Sequence, residues 1–468
     1  MAAYVRPRVV LYNPKAVFHT MPLALVALGS MLDRRRFEVV IIDGRFEADA
    51  ARRVVAEARG AVCVGVTVLT GAPIHDALAV SRAVKAAHPH VPIVWGGWHP
   101  SLFPMQCLAE PTVDVVVVGQ GEETFAQIVE AFGAGRSVEG CAGTVTRAGT
   151  AAPRPLRDLD ALPPHDYSLI AVERYFGAKN KRQLDYVSSQ GCRFRCAFCA
   201  DPAVFARGWT GLGPNRMGEE IADLALRYRV DEIAFQDETF FTHPARVAEF
   251  CDELRRRRVR VRWTATLRAD QACRMGEPLL RTAIDAGLSR VMIGVEAGSQ
   301  ATLDRLKKDL RLEQVLAAAE LCARHRLGAI FNFIVGFPDE PESSIEATLA
   351  LAKRLRRMHE AFETPIFYYR PYPGNPLADE ASNQGYVFPQ TLEAWADFDY
   401  VGQSGPWVTA RRRREVERFK FYVRHAWKPG RWRWPLRTAA RWRCEHDWYG
   451  LPLEKSLVEL VKRPQQVS

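Results

Sequence analysis

Apolar runs alternate with amphipathic stretches along most of the chain, in two separate blocks. In the first block, which ends near residue 135, the apolar runs are short and rich in Val and Ile, and the stretches between them have helical spacing. The predicted strands are 9–12, 38–42, 61–66, 93–95 and 113–118, and the predicted helices are 22–35, 47–58, 72–88 and 122–133. Continuous apolar strands separated by helices indicate a parallel sheet covered on both faces, which is a doubly wound α/β domain.

The alternation resumes in a second block between about residues 180 and 375. The predicted strands are 184–189, 231–236, 260–266, 290–295, 329–335 and 364–370, and the predicted helices are 217–229, 244–258, 277–287, 312–326 and 342–358. Six strand–helix steps indicate a second parallel α/β unit, but they are too few for the usual eight-stranded barrel.

Two further segments complete the predicted domain organisation. The first is rich in Ala, Gly, Thr and Pro and predicts a hairpin followed by a proline-anchored linker. The last is rich in Trp and Arg, and its helical pattern is clearest at 416–427. The expected boundaries are 1–138, 139–179, 180–375 and 376–468.

The tryptophans of the last segment allow four interpretations. They are Trp395, Trp407, Trp427, Trp432, Trp434, Trp442 and Trp448, with arginines between them. They could be buried in a helical cap on the second unit, bind RNA by stacking, lie at a membrane interface, or form a lid over a flat or apolar anionic substrate.

Composition and charge limit where the protein is expected to be located and which class of partner it could bind. Of the 468 residues 48% are apolar, and the ten cysteines are scattered except for one group of three, as a reducing compartment tolerates. No apolar run approaches the ~20 residues that span a bilayer, and the first strand follows the N-terminus too closely for a secretory signal. We therefore expect a cytoplasmic protein. The net charge of +10 is concentrated at 255–258, 411–414 and 428–443, which favours an anionic partner or solvated helix faces.

The group of three cysteines carries the strongest chemical signal. Cys192, Cys196 and Cys199 form a C-x3-C-x2-C array just after the predicted strand 184–189. Three thiolates can hold one face of an iron–sulfur cube, with one iron left open for a small molecule. The main alternative is a structural zinc site with His165 or His243 as the fourth ligand, although neither has the short spacing of zinc motifs. A disulfide with a spare thiol is a third interpretation.

Distinctive residues also follow the strands of both blocks. Ligand sites in parallel sheets and barrels lie at the carboxyl ends of the strands. In the first block the candidates are Asn13, Pro14, Thr67, Gly96, Gly97, His99, Gly119, Gly121 and Glu122. In the second block they are Gln236, Asp237, Glu238, Arg268 and Glu296. Taken alone, the first-block loops could serve a flavin, a dinucleotide or no ligand, and no G-x-G-x-x-G follows the first strand.

The cysteine spacing, with Phe198 before the last cysteine, resembles that of the radical S-adenosylmethionine (SAM) enzymes. The G-G-x-H-P loop from Gly96 and the G-x-G-E loop from Gly119 are similar to loops in the B12-binding domain that precedes many radical SAM barrels, and the D-L-D-x-L-P linker from Asp158 is similar to theirs. This subgroup includes the anaerobic magnesium-protoporphyrin ester cyclase, the hopanoid methylases and the phosphorus methylases. The resemblance covers about residues 8–375 and implies a B12-binding domain followed by an open (βα)6 barrel.

The resemblance also implies the cofactors and their contacts. A [4Fe–4S] cluster would be held by Cys192, Cys196 and Cys199. SAM would lie near Phe198, with Gln236, Asp237 and Glu238 toward its amino group, Arg268 toward its carboxylate and Glu296 toward its ribose. Cobalamin would lie on the first-block loops. Because the D-x-H-x-x-G motif is absent, we do not expect His99 to ligate cobalt; a domain that has lost B12 binding is the alternative.

The implied reaction is reductive cleavage of SAM, hydrogen abstraction from a small-molecule substrate and methyl transfer from methylcobalamin. A B12-dependent oxidative cyclase, a radical SAM modifier of RNA or ribosomal protein, and a zinc-stabilised cobalamin sensor are the alternatives. The expected partners are that small-molecule substrate and an external electron donor such as flavodoxin or ferredoxin. If the segment 376–468 forms a lid over the substrate, we expect the substrate to be flat or apolar, and anionic. Nucleic acid is not expected, and peripheral membrane contact stays open.

Overall fold

Two seven-stranded sheets form the framework of the protein in this computed structural model, which describes residues 6–398, 404–428 and 434–462. The strands of the first sheet are β1 Arg8–Asn13, β2 Glu38–Asp43, β3 Cys63–Thr67, β4 Ile93–Gly96, β5 Val115–Val117, β6 Thr144–Thr146 and β7 Gly149–Thr150. The helices between and after them are α1 Leu23–Ser30, α2 Ala50–Ala58, α3 Pro73–Ala87, α4 Trp98–Leu102, α5 Pro104–Ala109 and α6 Glu122–Gly133.

The first sheet has the strand order β2-β1-β3-β4-β5-β6-β7, with β1 to β5 parallel. This order reverses direction between β1 and β3, where doubly wound sheets open a ligand crevice. The hairpin β6–β7 pairs antiparallel with β5. The first sheet therefore continues to Thr150, beyond the boundary expected at residue 138.

The second sheet begins after helix α7 (Val172–Lys179). The remaining strands of the chain are β8 Gln183–Tyr186, β9 Ser189–Gln190, β10 Thr210–Gly211, β11 Glu232–Phe235, β12 Arg262–Thr266, β13 Leu288–Glu296, β14 Gly328–Val335, β15 Phe362–Glu363 and β16 Ile366–Tyr368. The sheet runs β8-β11-β12-β13-β14, and β15 and β16 both pair with β14. All of these pairings are parallel, so this sheet is the open partial barrel that the sequence implied.

Helices follow the strands of the partial barrel and form the C-terminal segment. They are α8 Asp201–Phe205, α9 Pro214–Tyr228, α10 Pro244–Arg256, α11 Ala269–Asp285, α12 Gln300–Arg305, α13 Leu312–Arg324, α14 Glu342–Met358, α15 Pro376–Asn383, α16 Leu392–Ala396, α17 Ala410–Ala426, α18 Trp434–Glu445 and α19 Leu453–Lys462. None of the described helices is both long and apolar enough to cross a bilayer.

The predicted strand 184–189 is interrupted in the structure. The chain leaves the second sheet after Tyr186, because Ser188 donates its backbone N–H and its hydroxyl to the buried carboxylate of Asp237. Ser189 and Gln190 then form β9, which pairs antiparallel with β10. The two-stranded ribbon closes the base of the loop that carries the three cysteines.

The C-terminal segment does cap the barrel, because side chains of α17 and α18 join the barrel core, but the interpretation that it buries its tryptophans there is wrong in most positions. Trp395 is fully buried, but it packs into the core of the first sheet. Trp434, Trp442 and Trp448 are exposed, whereas Trp427 does pack against the barrel core. Trp432 lies outside the described residues.

Candidate active site at the junction of the two sheets

A cavity of about 390 Å³ lies where the carboxyl ends of the first sheet face the start of the second. Seven of the nine first-block candidates line it, and they are Asn13, Thr67, Gly96, Gly97, Gly119, Gly121 and Glu122. The barrel side is formed by Gln190, Gln236 and Glu238, together with Val204 and Phe205 of α8. Pro14 and His99 do not line it. The structure therefore brings two loop sets, separated by more than sixty residues of sequence, to one cavity.

Gly97 keeps the strand end open toward this cavity. Its φ of +101° lies in the region that glycine favours. A Cβ atom at this position would lie 3.0 Å from the Thr67 hydroxyl oxygen and 3.0 Å from the backbone nitrogen of Val68. Only glycine fits here without movement of its neighbours, so the backbone itself forms the surface on which a ligand would lie.

Hydrogen bonds between glutamine side chains connect the two units beside the cavity. Gln120 donates to the Gln190 amide oxygen at 2.9 Å, and Gln190 donates to the Glu122 carboxylate at 3.1 Å. Burial raises the pKa of Glu122. Gln190 immediately precedes the cysteine loop, so this chain of bonds joins the G-x-G-E loop directly to that loop.

Asp185 forms a second connection between the units. This side chain is almost fully buried and accepts from the backbone N–H of Met21 at 2.7 Å, from Lys179 at 2.5 Å and from the Gln236 amide at 3.0 Å. It thereby holds the loop after β1 against the first barrel strand and orients Gln236. Asp185 was not among the residues predicted from the sequence, although a charged residue inside an apolar strand run is a recognisable signal.

The cysteine loop is held on both sides by backbone hydrogen bonds. The N–H of Ala197 donates to the carbonyl of Leu306 at 2.8 Å, and its carbonyl accepts from Leu377 at 3.0 Å. Gly191 opens the loop with φ +78°, and a Cβ there would collide with the carbonyl of Gly208. Phe198 packs against Phe337 with ring centroids 6.3 Å apart.

The three thiols lie half-buried and near two cationic side chains. Burial raises the pKa of Cys192 and raises that of Cys199 to about 12. Arg268 acts electrostatically on Cys192, and Lys308 interacts with Cys196. Cationic groups at this position offset the negative charge that thiolate ligands and an iron–sulfur cluster bring.

Neither histidine proposed as a fourth zinc ligand forms a hydrogen bond with the three thiols. His165 lies against the Tyr167 ring and lines the cavity, and His243 lies 4.7 Å from the Trp209 ring. Within the described residues, no group of three or more His, Cys, Asp and Glu side chains is arranged around a single ion position. The thiols of a cube bind separate irons and need no such convergence.

The three residues after β11 have different environments. Asp237 is buried, and its carboxylate accepts hydrogen bonds from Ser188 and Ser189. It therefore stabilises the strand end and does not face the cavity. Gln236 and Glu238 line the cavity. Burial raises the pKa of Glu238 to about 8, and the carboxyl groups of Asp201 and Asp237 add to this effect. A cationic part of a ligand beside Glu238 would favour the charged carboxylate and lower this pKa again, so Glu238 is suited to receive such a group.

Arg268 has protein partners of its own. Its Nε donates to Asp270 at 2.9 Å, one Nη donates to the carbonyl of Lys308 at 2.8 Å, and its guanidinium lies 3.6 Å from the centre of the Phe194 ring. The side chain is 5% exposed and does not line the cavity. These contacts hold Arg268 against the cysteine loop, and its contact with the SAM carboxylate, which the family resemblance implied, stays a prediction.

Glu296 occupies a strained position beside the same loop. Its φ is +72°, which is unfavourable for a residue with a Cβ, and it lies at a register shift between β13 and β14. Its carboxylate accepts from Lys308 at 2.7 Å, with both side chains 9% exposed. Burial opposes the charge of Lys308, but the carboxylate of Glu296 outweighs it, so the pKa of Lys308 is raised. No sequence pattern pointed to Lys308.

His99 points away from the cavity. It is fully buried, its Nδ1 lies 3.2 Å from the Thr70 hydroxyl, and its ring packs against Phe103 and Trp395. Burial lowers its pKa to about 4, which keeps the ring neutral. The residue orders its own loop from behind, and the C-terminal segment supplies part of its surroundings.

His99→Ala is expected to leave cobalt coordination unchanged, because the ring has no path to the cavity. The measurement is the resonance spectrum of cob(II)alamin bound to the wild-type and variant proteins, with Trp395→Ala as a control that loosens the same loop without removing an imidazole. A nitrogen hyperfine splitting that disappears only in His99→Ala would contradict the structure.

Comparisons with known proteins agree with the division into two units. Residues 7–129 match the B12 binding domain family, and residues 186–352 match the radical SAM superfamily. The chain is 31% identical to an uncharacterized methyltransferase of Pyrococcus horikoshii over 81% of this chain and 82% of that protein. It is 30% identical to the anaerobic magnesium-protoporphyrin IX monomethyl ester cyclase of Rubrivivax gelatinosus. That match covers 69% of this chain and 59% of the cyclase.

Solved structures share the arrangement of the two units. The radical SAM methyltransferase TsrM from Kitasatospora setae, solved with cobalamin and a [4Fe–4S] cluster, has a TM-score of 0.68 at 19% identity, covering 81% of this chain and 75% of that one. The cobalamin-dependent radical enzyme OxsB has a TM-score of 0.65 at 20% identity, covering 81% and 55%. At these identities the likeness shows the fold.

The residues present fit the three cofactors that the family implies. Three neighbouring thiols with Arg268 and Lys308 nearby suit an anionic iron–sulfur cluster. Glu238 offers an acidic group in the cavity for the ammonium group of SAM. Gly97 and Gly119 line the cavity without side chains, so a flat ring could approach the backbone there.

Fold, motif order and relatives agree with one another. The first sheet has the doubly wound order, the second is an open parallel barrel, and the cysteine loop follows the first barrel strand. A relative at 31% identity covers four fifths of the chain. The chain belongs to the family of radical SAM enzymes that carry an N-terminal B12-binding domain, and its cofactors are a [4Fe–4S] cluster, SAM and cobalamin.

Proposed function

We propose that the protein is a cobalamin-dependent radical SAM methyltransferase that acts on a small molecule. The observation that carries this proposal is the single cavity shared by the G-G-x-H-P and G-x-G-E loops and by Gln190, Gln236 and Glu238 of the barrel. A corrin on the first set and SAM on the second would lie on opposite walls of one space.

The proposal assigns roles to individual residues. Cys192, Cys196 and Cys199 hold the cluster, and Glu238 receives the amino group of SAM. Glu296 and Phe198 would contact SAM from the side of the cluster. Lys308 holds the Glu296 carboxylate in place there. Asp237 positions Ser188 and Ser189 and so sets the direction in which the cysteine loop leaves the barrel.

The corrin would be held chiefly by backbone at Gly96, Gly97 and Gly119, with Asn13, Thr67, Gly121 and Glu122 around its edge. The lining also includes the apolar side chains of Leu23, Leu28, Leu69, Trp98 and Phe205. An apolar lining excludes water, which protects a radical reaction from side products. When bound, the three cofactors would supply the hard chemistry, which is the reductive cleavage of SAM and the transfer of a methyl group. Electrons would come from an external ferredoxin or flavodoxin.

An oxidative cyclase is the second candidate, because relatives at 29–30% identity carry that name. Product analysis under anaerobic, reducing conditions separates the two. A methyltransferase forms a methylated product and S-adenosylhomocysteine, whereas a cyclase forms neither. Candidate substrates are small molecules that accumulate when the protein is deleted.

Glu238→Gln is expected to weaken SAM binding by about ten- to a hundredfold, since it removes a charge-assisted contact worth ~1.5–3 kcal/mol. Calorimetry on anaerobic protein with an intact cluster measures this change. Glu219→Gln is the matched control, because Glu219 is a largely exposed glutamate on α9. Equal SAM affinity in both variants would remove Glu238 from the proposed site.

A further inference from the structure

The C-terminal helices carry a group of large apolar side chains exposed to solvent. In the described part of the chain, fourteen large apolar residues are exposed, and six of them lie between residues 434 and 457. These six, which we name the C-terminal apolar patch, are Trp434, Trp442, Trp448, Leu451, Leu453 and Leu457, each between 43% and 71% exposed. Monomeric soluble proteins rarely expose such a group without a partner for it.

The patch is held in place by the packing of α17, α18 and the start of α19. Arg443 is buried and donates to the carbonyls of Gly450 and Leu451 at 2.6 and 2.9 Å, and it pairs with Glu454 at 2.8 Å. Its guanidinium lies 4.5 Å from the centre of the Trp448 ring, which in turn contacts Trp442 at 5.8 Å. A single buried arginine thus fixes the turn that presents Trp448, Leu451 and Leu453 together.

The segment of the sequence that carries the patch has an excess of basic residues. Between residues 428 and 463 the sequence has nine Lys and Arg and four Asp and Glu. Tryptophan beside basic residues is typical of segments that lie at the interface of an anionic membrane, where the ring sits at headgroup level. Each basic residue near such a surface contributes to binding.

The exposed leucines favour a membrane over a nucleic acid as the binding partner of the patch. RNA-binding surfaces combine cations with aromatic rings on which bases stack, and an aliphatic side chain offers no such stacking face. Leu453 and Leu457 are one helical turn apart on α19, on the same face, and Leu451 precedes them in the turn. Three exposed leucines beside three tryptophans suit insertion into the boundary between headgroups and acyl chains.

We propose that the C-terminal apolar patch docks the protein on the surface of an anionic lipid membrane, without crossing it. The contact does not depend on which reaction the enzyme performs. It would leave both sheets in the aqueous phase.

Co-sedimentation of the full-length protein with phosphatidylcholine vesicles, with and without phosphatidylserine, tests the proposal. The wild-type protein is expected to bind the phosphatidylserine vesicles, and high salt is expected to weaken binding because it screens the charges. The double variant Leu453→Ser/Leu457→Ser should lower the partition coefficient at least about tenfold, as the loss of two inserted leucines requires.

The matched control is Leu226→Ser/Val387→Ser, because these two side chains are also exposed but lie outside the patch. It should bind vesicles as the wild type does. Quenching of tryptophan fluorescence by brominated lipid is an independent measurement, and it should be lost in the patch variant.

Three results would overturn the proposal. The first is no binding to either vesicle type. The second is a dimer in sedimentation equilibrium that the patch variant converts to a monomer, since a second copy would then cover the patch. The third is binding of bulk tRNA that the patch variant abolishes while vesicle binding is absent.

Discussion

Replacing Cys192, Cys196 and Cys199 together with alanine is expected to abolish both the iron and sulfide content of the anaerobically reconstituted cluster and all formation of 5′-deoxyadenosine. The loop between β9 and β10 provides all three thiols. Thiolates are the usual protein ligands of an iron–sulfur cluster, so their removal leaves this loop without cluster ligands. Iron and sulfide analysis, the visible spectrum and a dithionite-driven SAM cleavage assay measure the effect.

The matched control for this experiment is Cys141→Ala/Cys273→Ala. Both thiols are accessible to solvent and lie outside the loop. Full cluster content and normal SAM cleavage are expected in this variant. Retention of iron and sulfide by the triple variant would place the cluster at other cysteines.

Lys308→Met is expected to lower the free energy of unfolding by about 3–5 kcal/mol, because it leaves the Glu296 carboxylate buried without its partner. The two side chains are 2.7 Å apart and 9% exposed. The strained φ of Glu296 persists only while its surroundings hold it. Chemical denaturation under reducing conditions, followed by circular dichroism, measures the change.

Two further variants show whether the burial of the pair causes this loss. Arg290→Met removes the cation of an exposed pair with Glu363 and should cost no more than about 1 kcal/mol. The double variant Glu296→Gln/Lys308→Met leaves no buried charge and should recover much of the stability. Equal losses in Lys308→Met and Arg290→Met would contradict the assignment of Glu296 and Lys308 as a coupled pair.

Much of the fold was predictable because its signals are local. Continuous Val and Ile runs between amphipathic stretches give parallel strands at β1 to β5 and again at β11 to β14, within a few residues of the predicted bounds. The helix predicted at 277–287 begins earlier, at Ala269, where the Gln271 side chain accepts from the backbone N–H of Arg268, and Gly276 and Pro278 interrupt the helix further along.

The partners of the site residues were less accessible to sequence reasoning. Glu296 stood out between two glycines, but its partner Lys308 approaches from the segment after α12. Asp201 was not among the sequence candidates either, although its carboxylate is buried just after the cysteine loop and burial raises its pKa to about 6. Such contacts depend on which segments the chain brings together, and pattern along the chain does not contain that information.

The amino-acid sequence by itself determined the order of the two α/β units, the loop that holds the thiols and the strand ends that carry glycine, since each depends on residues close together in the chain. Tertiary structure alone decided which of those residues meet. His99 packs against Trp395 and points away from the cavity. Arg268 contacts Asp270 and Phe194. Hydrogen bonds join Gln120, Gln190 and Glu122 across the two units. The physical reason is that side-chain direction and long-range pairing follow from packing, which minimises buried unpaired charge and empty volume over the whole molecule.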